Sequence, residues 1–172
     1  MSKLAPFLCL CALAAGLSQA EPTVTPDGLS QSVIEKSFDA TTPALCLLEY
    51  SLAITNTSTG EITLREANST GVVVTADGLI LSQGHIVLEN RRPLNIKVSF
   101  PGTPEKKYDA ILLHKPEDVN LAFLRLSSPP EKLAYVRFET GSAMSIGEPI
   151  VVVGLLRETL DFAHAIQVRR VG

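Results

Sequence analysis

The sequence predicts an all-β fold with a short N-terminal helix, and two observations lead to this fold class. From residue 44 onward, short runs of apolar and β-branched residues alternate with Pro, Gly, Asn and Asp, as strands alternate with turns. About six strands are predicted before a Pro-containing linker at residues 127–132, and about three after it. The first group is large enough to close a small barrel, whereas the second is not.

The individual elements follow from local patterns. Residues 29–38 form the predicted helix, because their apolar residues fall on one helical face. Seven candidate runs precede the linker and are interpreted as a barrel of about six strands: 44–50, 62–66, 71–75, 79–82, 95–100, 108–113 and 121–126. Three more follow the linker, at 136–138, 150–155 and 163–171. The strands at 71–75 and 79–82 are joined by Ala76-Asp77-Gly78, a hairpin signal because Gly accepts the positive φ of a tight turn. The expected organisation is a lead-in with a helix at 21–43, a first β-barrel at 44–127 and a partial second barrel at 135–172.

The first twenty residues have the three parts of a secretory signal peptide. Lys3 supplies a positive charge, and the apolar stretch 4–17 is shorter than the about 20 residues of a membrane span. Residues 18–20, Ser-Gln-Ala, place small residues before a cleavage site at Glu21. We therefore expect an exported protein, periplasmic or secreted, with a signal peptide at 1–20 and no membrane span after cleavage.

Composition excludes several classes of function. The net charge of −3 and the lack of basic clusters with interleaved aromatic residues argue against nucleic-acid binding. Three scattered His residues and Cys46, the one Cys after residue 20, have no metal-ligand spacing. We expect no metal and no cofactor.

Three motifs occur in an informative order. Residues 71–85 form the hairpin and end in Ser-Gln-Gly-His, with His85 last. Asn120-Leu121-Ala122 opens a later strand, and residues 145–154, Ser-Ile-Gly-Glu-Pro-Ile-Val-Val-Val-Gly, open another. Together, over about residues 43–154, these motifs resemble trypsin-like serine proteases of the HtrA/Deg type. The resemblance implies a trypsin-like barrel followed by the start of a second one, with His85 at the position of the catalytic general base.

Two departures from the family pattern affect activity. In the ungapped register Asn120 occupies the position of the triad Asp, and an amide cannot supply the charge that stabilises the imidazolium. Asp118 lies two residues away and would need a loop shift to take that place. The family's nucleophile lies in a Gly-Asn-Ser-Gly-Gly-like loop downstream of the strand at 150–154, and residues up to Gly172 contain no such loop. The loop that carries the family's nucleophilic Ser is thus absent from these residues, and we expect this chain to be inactive alone.

Three functions remain open from the sequence. The first is a degenerate or truncated protease-fold protein, a pseudoprotease that binds peptides or unfolded proteins, with a partner chain that completes the second barrel. The second is an N-terminal fragment of an active serine endopeptidase. The third is an unrelated exported β-barrel that serves as a binding module.

Overall fold

A computed structural model describes residues 28–87, 91–139, 143–156 and 163–172 of the chain. The predicted signal peptide at 1–20 lies outside the described residues, so its cleavage and the export of the protein stay predictions. In the part of the chain that is described, no helix has the length and apolar character needed to cross a bilayer.

Among the residues just defined, one α-helix is present, and it lies just before the first strand. Helix α1 (Gln31–Thr41) has Ile34 as its buried residue and is shifted slightly toward the C-terminus from the predicted 29–38. It is followed by a short 3-10 helix (Thr42–Ala44) that contains Pro43. Thr42 still has helical φ and ψ of −52° and −44°, but Pro43 has no backbone N–H to continue the hydrogen-bond pattern, so the α-helix ends there.

Six antiparallel strands close into a barrel, as the sequence predicts. They are β1 (Leu45–Thr55), β2 (Ile62–Val73), β3 (Leu79–Gln83), β4 (Leu94–Phe100), β5 (Thr103–His114) and β6 (Leu121–Leu126). Their order around the barrel is β1-β2-β3-β6-β5-β4. Alternate residues point inward and form one core, which includes Leu48, Val73, Ile80, Val98 and Leu124. The all-β fold class is confirmed.

Several strands are longer than the sequence pattern predicts, and β2 merges two of the predicted ones. Residues 62–66 and 71–75 were expected to be separate strands, but β2 runs without a break from Ile62 to Val73. Residues 62–72 of β2 pair with β1, from Leu45 opposite Val72 to Thr55 opposite Ile62. The polar residues Asn68, Ser69 and Thr70 have turn-like composition, but backbone pairing to a long neighbouring strand overrides that local preference.

The Asp-Gly hairpin forms where it is predicted. Gly78 has a φ of +84°, the left-handed conformation that favours glycine. The Gly78 N–H donates to the carbonyl of Thr75 at 3.1 Å, and the Val74 N–H donates to that of Leu79 at 2.8 Å. The turn therefore sets the register of β3 against β2 and determines where β3 begins.

The second group of strands is smaller than expected. Strands β7 (Pro149–Leu155) and β8 (His164–Arg170) form a two-stranded antiparallel sheet. The predicted strand at 136–138 is wrong, because this segment runs as a connection whose Val136 N–H donates to the carbonyl of Val73 at 2.9 Å. Helix α1 contacts the sheet through Phe38, whose ring meets that of His164 edge-on at 5.9 Å between centroids.

Candidate active-site cleft

The end of the hairpin presents His85 to solvent. Strand β3 stops at Gln83, and a short 3-10 helix (Gly84–Ile86) follows. Gly84 and Ile86 are buried on either side of His85, and Ile86 is only 1% exposed within the barrel core. Because its two neighbours hold the backbone against the barrel, the exposed imidazole is directed away from it.

Asn120 lies against the residue that precedes His85. The Gly84 N–H donates to the backbone carbonyl of Asn120 at 3.1 Å. A Cβ atom on Gly84 would come within 2.9 Å of Asn120 Oδ1, so the amide side chain packs on the glycine. Among the described residues no hydrogen bond reaches the imidazole of His85, and its pairing with Asn120 stays a prediction. Asp118 is exposed in the same loop.

His85 borders a cleft between the barrel and the end of β7. The cleft has a volume of about 450 Å³ and is lined by Asn68, Ser69, Thr70, Gln83, His85, Leu155 and Leu156. The barrel contributes the polar wall from β2 and β3, whereas the two leucines contribute the apolar wall. A groove with one polar and one apolar wall suits an extended peptide, which has polar backbone groups and apolar side chains.

Two serines at the cleft, Ser69 and Ser82, are hydrogen-bonded to each other. The Ser82 hydroxyl donates to the carbonyl of Thr70 at 2.7 Å, and its oxygen lies 3.2 Å from that of Ser69. A hydroxyl has one hydrogen, so Ser69 must be the donor in the second bond. Both side chains are buried, and both hydroxyl hydrogens are committed. The sequence analysis did not single out these serines, although their place in strand-like runs is the signal that they belong to a sheet.

The free thiol of Cys46 lies in the barrel core and does not line this cleft. Burial raises the pKa of the Cys46 thiol to about 12. That thiol is a packing group, since the thiolate is the reactive form. Within the described ranges, no three His, Cys, Asp or Glu side chains are grouped closely enough to hold a metal ion.

Comparison with known proteins agrees with this architecture. Residues 69–171 match the family model of the trypsin-like peptidase domain, which is more than half of the chain. The chain belongs to this family. The third hypothesis, an unrelated β-barrel, is therefore wrong. No curated protein sequence matches the chain.

A solved structure shares the fold of this family member. The HtrA-type protease AlgWS227A with decapeptide matches with a TM-score of 0.65 and 12% sequence identity. The match covers 80% of this chain but 44% of that one, so the chain spans less than half of the length of this neighbour. At such an identity the likeness shows the trypsin-like, HtrA-type fold and nothing of the activity.

Proposed function

We propose that this chain is an exported, degenerate trypsin-like peptidase that binds peptides or unfolded proteins in the His85 cleft and does not hydrolyse them. The observation that carries the proposal is the contact between Gly84 and Asn120. It supports Asn120, rather than Asp118, as the neighbour of His85 at the position where the family has its carboxylate.

An amide in that position removes most of the catalytic power of a histidine base. The carboxylate of a triad holds the imidazole in one tautomer and stabilises the cation formed when the nucleophile loses its proton. Exchanging it for an amide in a serine protease lowers kcat by about 10⁴. The buried Ser69 and Ser82 are poor substitutes for a nucleophile, because their hydroxyl hydrogens are already bonded.

The cleft retains features that favour peptide binding. Its volume of about 450 Å³ lies within the range of small-ligand sites, and Leu155 and Leu156 offer apolar surface. The β2–β3 ladder runs from Gly71 opposite Ser82 to Val73 opposite Ile80. Asn68, Ser69 and Thr70 of β2 precede this ladder and border the cleft, and extended peptides bind to sheets through backbone hydrogen bonds.

The lack of activity is tested with a fluorophosphonate probe and labelled casein as substrate. We expect no turnover and no labelled serine in the wild type or in Asn120→Asp, because restoring the carboxylate repairs only the histidine. Labelling that disappears in His85→Ala would reveal a working nucleophile and contradict the proposal.

Binding is tested separately with fluorescein-labelled, unfolded casein and fluorescence anisotropy. Leu155→Asp should raise the Kd about tenfold, because it replaces the apolar wall of the cleft by a charge. Ile111→Asp is the matched control, since Ile111 is an exposed apolar residue of β5 that does not line the cleft. Equal affinities of all three proteins would contradict a binding role for this cleft.

A second candidate is an N-terminal part of an active endopeptidase, which is favoured by the 44% coverage of the structural neighbour. Intact-mass analysis of the natural protein, together with the coding sequence beyond residue 172, distinguishes the two candidates. A product much larger than 18.4 kDa that contains a Gly-Asn-Ser-Gly-Gly loop would favour this second candidate.

A further inference from the structure

A second cavity lies away from His85, where the 3-10 helix after α1, the β4–β5 turn, the linker and the start of β8 meet. It has a volume of about 580 Å³, and Pro43, Phe100, Pro101 and Leu133 make its wall largely apolar. A neighbouring cavity of about 410 Å³ shares Phe100, Pro101 and His164 with it. Even without its neighbour, the larger cavity has the size of a small-molecule site.

Two polar groups of this cavity's lining residues have no hydrogen-bond partner. Among the described residues, the buried side-chain nitrogen and oxygen atoms without a hydrogen-bond partner are the hydroxyl oxygen of Thr42 and Nε2 of His164. Both residues line the larger cavity. Buried polar atoms are nearly always paired, and an unpaired one destabilises the structure. Two such atoms on the lining of one cavity point to a ligand that carries a hydrogen-bonding group.

The charge of the residues that line the cavity indicates which hydrogen-bonding group the ligand carries. Lys132 is the one residue with a permanent charge among the described residues that line either cavity, and no Asp or Glu accompanies it. A cation at the rim of an apolar cavity is complementary to a carboxylate. A cationic ligand would meet repulsion from Lys132 and, from the described residues that line the cavity, no compensating anion.

We propose that this cavity binds an apolar molecule that carries one carboxylate. The apolar body contacts Phe100 and Leu133, and the carboxylate pairs with Lys132 and accepts a hydrogen bond from Thr42 or His164. Because both unpaired atoms are shut off from solvent, binding requires the Thr42 hydroxyl or the His164 ring to turn toward the ligand. The same chemistry is offered by a free carboxylic acid and by the C-terminal residue of a peptide. This site does not depend on the function proposed for the His85 cleft.

The proposal is tested by calorimetric titration of the purified chain with matched acids and amides. The probes are 4-phenylbutyrate and its amide, and the peptide acetyl-Ala-Ala-Phe with a free or an amidated C-terminus. At least one acid should bind about tenfold or more tightly than its amide, since a desolvated charge pair is lost with the amide. Tighter binding of the peptide acid would identify a peptide C-terminus as the source, and tighter binding of phenylbutyrate a free acid.

Variants separate this site from unspecific binding. Lys132→Met should remove the preference for acid over amide, whereas Lys36→Met, on the exposed face of α1, should leave it unchanged. Thr42→Val should weaken binding of the acid about three- to tenfold without lowering the melting temperature, because it also removes an unpaired hydroxyl. The proposal is overturned if neither acid shows saturable binding, or if Lys132→Met binds both acid and amide as the wild type does.

Discussion

Replacing Gly84 by Ala tests the contact on which the proposed function depends. The added Cβ would lie 2.9 Å from Asn120 Oδ1 and 3.1 Å from both the carbonyl carbon of Asn120 and the nitrogen of Leu121. The amide can rotate away, but the two backbone atoms belong to the start of β6 and cannot. The first residues of β6 must therefore shift by a few tenths of an ångström relative to β3.

The expected cost follows from two effects. Overpacking of a close contact typically destabilises a protein by about 1–3 kcal/mol. The shift also lengthens the 3.1 Å hydrogen bond from Gly84 to Asn120, a bond of a type that contributes about 0.5–1.5 kcal/mol. Ala restricts the unfolded chain and offsets about 0.4–1 kcal/mol of this loss. We expect a net loss of about 2 kcal/mol, which for a chain of this size lowers Tm by about 4–8 °C.

Urea unfolding followed by circular dichroism measures this difference, provided that the m-value is unchanged. Gly154→Ala is the matched control, because a Cβ at Gly154 in β7 meets nothing within 4 Å. Its stability should stay the same or rise by up to about 1 kcal/mol, since glycine weakens a strand interior. Adding Asn120→Ala to Gly84→Ala should recover a part of the loss, because it removes the Oδ1 contact and leaves the two backbone contacts.

A free energy of unfolding for Gly84→Ala within about 0.3 kcal/mol of the wild type would refute this reasoning. It would mean that β6 does not begin against Gly84. The placement of Asn120 beside the residue that precedes His85 would then lose its support.

Three further results are expected. Iodoacetamide at pH 8 should modify Cys46 only after unfolding, because burial raises the pKa of this thiol to about 12, and rapid labelling of Cys46 in the native chain would contradict this. The thiol of the unfolded chain loses its proton first, near pH 9, so the free energy of unfolding should fall as the pH rises above 9. Ser82→Ala should lower the free energy of unfolding by about 1–3 kcal/mol, because the carbonyl of Thr70 and the hydroxyl of Ser69 lose their buried partner. The control Ser58→Ala, in the exposed β1–β2 turn, should leave the free energy of unfolding unchanged, and equal values for the two variants would be inconsistent with the serine pair. In the described part of the chain β7 and β8 pair only with each other, so we expect the purified chain to self-associate or to recruit a partner strand. A monomer by light scattering, with amides of both strands protected in hydrogen exchange, would argue against this expectation.

The sequence by itself determined the fold class, the Asp-Gly hairpin and the place of His85 directly after it. These features are local: apolar alternation sets the faces of a strand, and a glycine in a tight turn sets where the next strand begins. The order of the motifs was also sufficient to recognise the family. Two local predictions were wrong. The sequence divided β2 into two strands, because Asn68, Ser69 and Thr70 have turn-like composition when the partner strand is unknown, and the predicted strand at 136–138 is a connection.

Only the tertiary structure decided which distant residues meet. The contact of Gly84 with Asn120 depends on the pairing of β3 with β6, which brings residues 36 positions apart into contact. The hydroxyl pair of Ser69 and Ser82 depends on the register of β3 against β2. The unpaired groups of Thr42 and His164 line the same cavity although more than a hundred residues separate them in the chain. Local patterns encode the face that a side chain occupies, but such proximities follow from strand order and register, and these are set by packing of the whole core.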